Sequence, residues 1–347
     1  MITIEKMLTI IVPVYNGAPY LKKCLSSFIA PDLIDTIEVI VVDDGSQDDT
    51  AKIANNFCQK YPDIFRLEQK SNGGHGSAIN FALPLVRGKY LKAVDADDWV
   101  VTENLQRLIP ILKETQADAI ITEFDIINIR TGQVMNRMLE YPAGKPLRLE
   151  QIVKQFPQGR SSFSYHGLFF KTEVYRKAGF QLSEGIFYED HEYATLPFAQ
   201  VKTVLPVALC IYQYRIGDAK QSVAFHNQVR RIHHIEQVME RILTFQANTP
   251  YLNSAQKRYF RYKLADILTS YYAVALVKNP KKQEGRRQAI AFHAQMEFRC
   301  PSLSHMIEKK YQILLALNRL HFPASLYQAL LDMGLGKIFR KWWQEMS

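Results

Sequence analysis

The chain has 347 residues, of which 47% are hydrophobic and 22% charged; this composition excludes a disordered chain, and the length predicts about two globular domains. The formal net charge is +9, but no nucleic-acid-binding motif accompanies it, so a nucleic-acid partner is not expected. The four cysteines are far apart and show no C-x-x-C spacing, which excludes a zinc knuckle or a disulfide framework and favours a reducing, cytoplasmic location. Since no uncharged apolar run approaches the roughly 18 residues of a membrane-spanning helix, we expect no bilayer crossing.

The first part of the chain alternates predicted strands with predicted helices. The runs at 8–15 and 37–42 are rich in β-branched residues, and 18–28 between them has apolar residues at helical spacing. The alternation continues with helices at 50–61, 77–86 and 102–115 and strands at 65–69, 90–94 and 119–124. Continuous apolar strands separated by helices predict an α/β fold with a mostly parallel sheet flanked by helices.

From residue 125 onward the sequence pattern changes. Three prolines loosen the pattern between 125 and 165, where we expect a short antiparallel excursion, and the chain beyond 221 consists of long amphipathic stretches with almost no strand signal. We therefore predict an α/β domain over 1–224. A basic helical module would follow over 225–347.

Acidic residues follow two of the predicted strands. Asp43 and Asp44 end the second strand, and Asp95, Asp97 and Asp98 follow the strand near Tyr90. Ligands of an open parallel sheet bind outside the carboxyl ends of its strands, and carboxylates one residue apart can hold Mg²⁺ or Mn²⁺ together with substrate phosphates. The alternative is that these aspartates form turns and cap helices.

Two further segments carry polar groups suited to the same site. Asn72–Gly76 is a glycine-rich entry to a helix, whose backbone amides could receive phosphate or simply form a turn. Glu189 and Asp190 form an acidic pair before an apolar helix. Either could be a general base for a hydroxyl group, or they could cap the helix.

Together these residues resemble glycosyltransferase family 2, inverting enzymes of the GT-A (Rossmann-like) fold that use nucleotide sugars. The similar stretches run in the family's order over about residues 8–193: TIIVPVYNGAPYLKKCLSSF, EVIVVDDGSQDDT, KSNGGHGSAIN, GKYLKAVDADDW, HGLFFKTEVYRKAGF and FYEDHEY. Each stretch is modest, but the ordered set is specific.

The resemblance implies that 1–224 is the catalytic domain, with about its first hundred residues binding the nucleotide sugar and 101–224 facing the acceptor. It also implies a role for individual residues. A UDP-sugar would be bound by Pro13, Tyr15 and Asn16 at the uridine and ribose, by Asp43 at the uracil with Asp44 close by, by Asn72 and Gly74, and by Asp95. Asp97 would bind Mn²⁺ or Mg²⁺ at the diphosphate, with Asp98 a weaker second ligand. Asp190 becomes the favoured base over Glu189.

The chain also departs from the family pattern. Ile79 stands before Asn80, where relatives often carry a basic residue, so a donor-side cation is expected elsewhere. Lys92 is a candidate if its side chain reaches the site, and the alternative is a lysine whose amine extends along the apolar surface to solvent. We assign auxiliary or acceptor roles to His166, Glu189, His191, Arg215 and Ser222, against ordinary structural roles for the same side chains.

The resemblance implies a glycan or lipid-linked glycan acceptor. The basic, aromatic stretch Lys337–Trp343 suits peripheral contact with anionic lipid on the inner membrane face, or a contact in a homo-oligomer. Two rival functions remain: a nucleotidyltransferase of related architecture, which should carry a glycine-rich basic loop after the first strand, and a nonenzymatic glycan-binding or scaffold protein.

Overall fold

The structure is a computed structural model that describes residues 6–218, 221 and 224–332, with the side chains of 157–161, 331 and 332 excepted. The described residues within Met1–Ala219 and Glu240–Tyr262 form one compact unit, and those within Lys220–Met239 and Lys263–Ser347 form a second. The domain boundary at 224/225 stays a prediction.

The strands are β1 (Lys6–Val14), β2 (Ile37–Asp43), β3 (Phe65–Gln69), β4 (Gly88–Ala93), β5 (Trp99–Val100), β6 (Ala119–Asn128), β7 (Val134–Arg137), β8 (Leu147–Arg148), β9 (Leu168–Lys171) and β10 (Thr203–Ile216). The helices are α1 (Ala18–Ser26), α2 (Thr50–Lys60), α3 (His75–Ala82), α4 (Thr102–Glu114), α5 (Leu149–Gly159), α6 (Thr172–Lys177), α7 (Asp190–Tyr193), α8 (Phe225–Arg230), α9 (Ile232–Ala247), α10 (Ser254–Tyr272), α11 (Lys282–Arg299), α12 (Pro301–Arg319) and α13 (Ala324–Asp332).

The sheet of the first unit has the order β3-β2-β1-β4-β9-β6-β10-β5. The first four strands pair in parallel, and all residues of β2 are buried because both sheet faces are covered. This confirms the α/β class with a parallel sheet at its N-terminal side.

Beyond β4 the sheet becomes mixed. Strand β9 pairs antiparallel with both β4 and β6, and β7 forms the expected antiparallel excursion on β6. Strand β10 runs parallel to β6 with register shifts between Val207 and Tyr212. Such bulges re-aim side chains, and the residues beyond them, from Tyr212 to Arg215, reach the sheet edge described below.

The second unit is helical, as predicted. Asn318 of α12 is fully buried; its side chain donates to the Leu276 carbonyl at 2.7 Å and accepts from Arg286 of α11 at 2.7 Å. Leu276 belongs to a π-helical segment, Ala273–Lys278. Over the described ranges, no helix combines the length and apolarity that a bilayer span requires.

Candidate active site

The carboxyl ends of β1, β2 and β4 meet at one edge of the sheet. Val14 pairs with Asp43 and Ile11 with Ala93, so the loops that follow the three strands are neighbours. Asn16 joins two of these loops, since its amide donates to Ser46 Oγ at 2.9 Å and its side chain accepts from the Gln47 amide at 2.8 Å.

The residues predicted to line the uridine pocket occupy different depths. Pro13 lies buried within β1, whereas Tyr15 and Asn16 are exposed at the edge. Asp43 is almost fully buried, and its carboxylate accepts from the Ser46 amide at 2.9 Å and from Gln69 Nε2 at 3.1 Å. The carboxylate of Asp43 is therefore held in place and is connected through Ser46 to the exposed residue Asn16.

Asp44 holds the glycine-rich segment in place. Its buried carboxylate accepts from the amides of Gly73 at 3.0 Å and Gly74 at 2.7 Å, and Lys70 Nζ lies 2.8 Å away. The Gly74 amide therefore donates to Asp44 here, and the donor-binding role predicted for Gly74 stays a prediction. Asn72 remains exposed in this segment.

The same glycines allow a second loop to approach. The Gly185 amide donates to the Gly73 carbonyl at 2.8 Å. A Cβ at Gly76 would lie 2.3 Å from the Ser183 carbonyl oxygen, and one at Gly74 would lie 3.1 Å from the Gly185 nitrogen. The chain that leads to Asp190 is thus packed against the start of α3, where side chains larger than hydrogen would collide.

Asp95, Asp97 and Asp98 bring three carboxylates to the end of β4, with ligand atoms within 4.8 Å of one another. Burial raises the pKa of Asp98 well above its ordinary value, and the like charges of Asp95 and Asp97 add to this. The oxygen-only donor set and the mutual repulsion fit a hard divalent cation such as Mg²⁺ or Mn²⁺.

Asp98 has a structural role within this cluster. Its carboxylate is buried and accepts from the Tyr212 hydroxyl at 2.5 Å and from the Arg215 amide at 2.7 Å. These bonds fasten β10 to the loop after β4. Asp98 thus anchors β10, and its predicted role as a weaker metal ligand stays a prediction; Asp97 and Asp95 are partly exposed.

His75 is the residue that sequence reasoning missed. Its Nδ1 lies 2.7 Å from Glu189 Oε1, and its Nε2 lies 3.0 Å from Asp95 Oδ1. Carboxylates only accept hydrogen bonds, so both ring nitrogens donate and the imidazole is protonated. Burial alone would lower the pKa of His75, but the bonds to Asp95 and Glu189 raise it well above its ordinary value. The missing basic residue at Ile79 was the signal that could have directed attention to it.

Asp190 begins the short helix α7 and is partly buried. Burial raises the pKa of Tyr214, and the charges of Asp98, Asp95, Asp190 and Asp97 raise it further. The Tyr214 hydroxyl group therefore lies near Asp190 as well as near the three aspartates that follow β4. The roles predicted for Asp190 and Asp97 stay predictions.

His166 and His191 have different surroundings. The His166 ring stacks on Tyr214 at a centroid distance of 4.0 Å, and its Nδ1 lies 2.8 Å from Ser164 Oγ. Burial lowers the pKa of His166 to about 4, so this ring is neutral at pH 7. His191 follows Asp190 in α7 and is partly buried.

Lys92 is bonded to the backbone. Its buried Nζ donates to the carbonyls of Tyr165, His166 and Leu168 at 3.3, 2.7 and 3.3 Å, which ties β4 to the segment that enters β9. Burial lowers the pKa of Lys92 to about 7, while the charges of Asp95 and Asp98 act to raise it. The predicted donor-side role of Lys92 stays a prediction.

Arg215 is a cation near the carboxylates that follow β4. Its guanidinium lies 3.5 Å from Asp97 and 3.2 Å from Asp218, over the Tyr20 ring at 4.4 Å. Ser222 and the basic stretch Lys337–Trp343 lie outside the described residues, so their predicted roles remain predictions.

The chain is similar in sequence to known glycosyltransferases. The sequence profile of Glycosyl transferase family 2 matches residues 9–178. The uncharacterized glycosyltransferase EpsJ of Bacillus subtilis is 30% identical over 216 residues, 60% of this chain and 61% of EpsJ. The poly(ribitol-phosphate) beta-glucosyltransferase of Bacillus spizizenii is 34% identical over 125 residues, 35% of this chain and 20% of that protein.

The fold has a solved counterpart. TarS 1-349 of S. aureus, crystallised in complex with UDP-GlcNAc, superposes with a TM-score of 0.65 at 17% identity, covering 90% of this chain and 92% of that one. The matches to EpsJ and to the beta-glucosyltransferase span about three fifths and one fifth of those proteins. Residues 9–178, just under half of the chain, are thus a glycosyltransferase family 2 region, and the fold is the GT-A fold of TarS.

Proposed function

We propose that this protein is an inverting glycosyltransferase that transfers a hexose or N-acetylhexosamine from a UDP-sugar to a glycan or lipid-linked glycan in cell-surface polysaccharide synthesis. One observation carries the proposal. His75 bridges Glu189, which precedes the predicted base Asp190, and Asp95, which follows β4 and is predicted to contact the donor nucleotide. The UDP-GlcNAc complex of TarS and the name of the beta-glucosyltransferase relative support the donor and acceptor classes.

The residues divide into a donor side and an acceptor side. The buried carboxylate of Asp43 would accept a hydrogen bond from uracil, while Tyr15 and Asn16 border the ribose. Asp190 would take a proton from the acceptor hydroxyl as its oxygen attacks the anomeric carbon opposite the departing diphosphate. A single displacement inverts that carbon.

Asp97 is the residue that would hold a divalent cation, with Asp95 beside it. When bound there, Mn²⁺ or Mg²⁺ would neutralise charge on the leaving diphosphate. Arg215, within 3.5 Å of Asp97, would add positive charge to the same side of the site.

A panel of nucleotide sugars tests the reaction class. We expect a UDP-sugar to release UDP in the presence of Mn²⁺ or Mg²⁺, and chelation with EDTA to slow this release about 100-fold or more, since a catalytic cation contributes several kcal/mol. A nucleotidyltransferase would instead produce pyrophosphate from a nucleoside triphosphate and a sugar phosphate. A scaffold would release neither product from any donor.

Replacing Lys92 separates a structural lysine from a donor-binding one. We expect Lys92→Met to lower the free energy of unfolding by about 1–3 kcal/mol, since three carbonyls lose their donor, while KM for the UDP-sugar stays unchanged. Lys89 is a matched control, because it donates to three carbonyls from the other end of β4 and is less buried. A large rise in KM in Lys92→Met alone would support the donor-side role of Lys92.

A further inference from the structure

A second cluster of metal-ligand type lies in the helical unit. Helix α11 carries His293 and Glu297, four residues apart and therefore on one helix face, and α12 carries Glu308. One ligand atom from each of the three side chains lies within 4.8 Å of the others. None of the stretches that resemble the family includes these residues, and the proposed transfer reaction makes no use of them.

The spacing of the ligand atoms suits a small cation. His293 Nε2 lies 3.1 Å from Glu308 Oε2 and 3.8 Å from Glu297 Oε1. Nitrogen and oxygen ligands of Zn²⁺ at bond lengths of about 2.0–2.2 Å in a tetrahedron stand about 3.4 Å apart. The two observed separations lie on either side of this value, so small side-chain movements would complete the three contacts.

The imidazole ring is already oriented for such a contact. The Tyr272 hydroxyl lies 2.9 Å from His293 Nδ1, and the Tyr311 ring stacks on the imidazole at 3.8 Å with an interplanar angle of 10°. An outer partner on one ring nitrogen fixes the tautomer that leaves the other nitrogen as ligand. His293 is buried, whereas Glu308 and Glu297 are 36% and 60% exposed, so an ion could enter from solvent.

We propose that His293, Glu297 and Glu308 form a binding site for a divalent transition-metal ion of the Zn²⁺ type. The three side chains supply one nitrogen and two carboxylate oxygens, and water would complete the tetrahedron. The ion would link α11 to α12 within the second unit. The site is independent of the proposed sugar transfer and would persist if that proposal failed.

Zinc binding to the full chain tests the site, with Asp97→Asn as background to weaken the cluster at the sheet edge. We expect titration with ZnCl₂ alone to show one site that is lost or weakened at least 10–100-fold in added His293→Gln or Glu308→Gln variants, a loss no smaller than that caused by removing an outer partner. His305→Gln, an exposed histidine on α12, should bind zinc like the background. Co²⁺ should give the visible bands of a tetrahedral site in the background protein and its His305→Gln variant, but not in the His293→Gln or Glu308→Gln variants.

Glu308→Gln keeps the test decisive if His293→Gln fails to fold, because Glu308 is partly exposed and its loss should leave the circular dichroism spectrum unchanged. The proposal is overturned if the background protein binds no zinc, which would make His293 a plain ion-pair partner of the two glutamates. It is equally overturned if the background and Glu308→Gln proteins bind zinc with the same stoichiometry and affinity.

Discussion

Replacing Asp190 with asparagine should lower kcat for sugar transfer by about 10²–10⁴-fold, the range that a general base contributes. The amide keeps the size of the side chain but cannot accept a proton from the acceptor hydroxyl. UDP affinity should stay near the wild-type value, because Asp190, at the start of α7, is proposed to contact the acceptor hydroxyl and not the nucleotide. Steady-state transfer rates and UDP titration measure the two quantities.

Glu184 offers a matched control for this change. It lies on the same approach to α7, is exposed, and bonds Asn80 at 3.0 Å. Glu184→Gln should therefore transfer sugar at the wild-type rate. An Asp190→Asn enzyme of near-normal kcat would falsify the assignment of the base, whatever the control shows.

Removing the His75 side chain should have the second largest effect. His75→Ala deletes two charge-assisted hydrogen bonds and leaves the buried carboxylate of Glu189 without the imidazolium. Loss of one partner of a buried ion pair costs about 3–5 kcal/mol; because the His75 side chain is 29% exposed, we expect about 3 kcal/mol in the free energy of unfolding. Urea unfolding measures it. Transfer activity should fall as well, since the loop that carries Asp190 loses an anchor.

The charge of His75 gives this prediction a pH signature. The folded-state pKa is raised, so the bridge contributes its full stability below the ordinary histidine pKa of about 6.5 and loses it as the pH rises through the folded value. The stability difference between wild type and His75→Gln should therefore shrink toward alkaline pH. A difference that is constant from pH 6 to pH 9 would mean that the ring is not held as an imidazolium. His305→Gln, at an exposed site, should match wild type throughout.

The local sequence pattern was enough to predict the parallel strands, the helices between them and the aspartates at the strand ends. The β-branched runs at β1 and β2 and the helical spacing between them predicted the parallel half of the sheet, because burial on both faces demands continuous apolar strands. Parallel strands end at the same edge of a sheet, so the strand pattern alone predicts that Asp43 and Asp97 lie at one edge. The order of the motifs then indicated the family.

The sequence could not show which partner each polar side chain would take. His75 and Glu189 are 114 residues apart, and Lys92 meets carbonyls more than 70 residues away; no local periodicity encodes such pairs. The local sequence suggests that Lys92 and the Gly74 amide bind the donor. In the folded chain Lys92 donates to backbone carbonyls and the Gly74 amide donates to Asp44.

The sequence by itself determined the strand and helix alternation, the acidic strand ends and the helical character of the described C-terminal residues, because these depend on periodicity and on the ends of elements. Only the tertiary structure decided that Asp98 anchors β10, that His75 is the bridging cation, and that His293 faces Glu308 across two helices. Those pairings arise because a folded chain brings distant segments within hydrogen-bond reach, and buried polar groups must then find partners there.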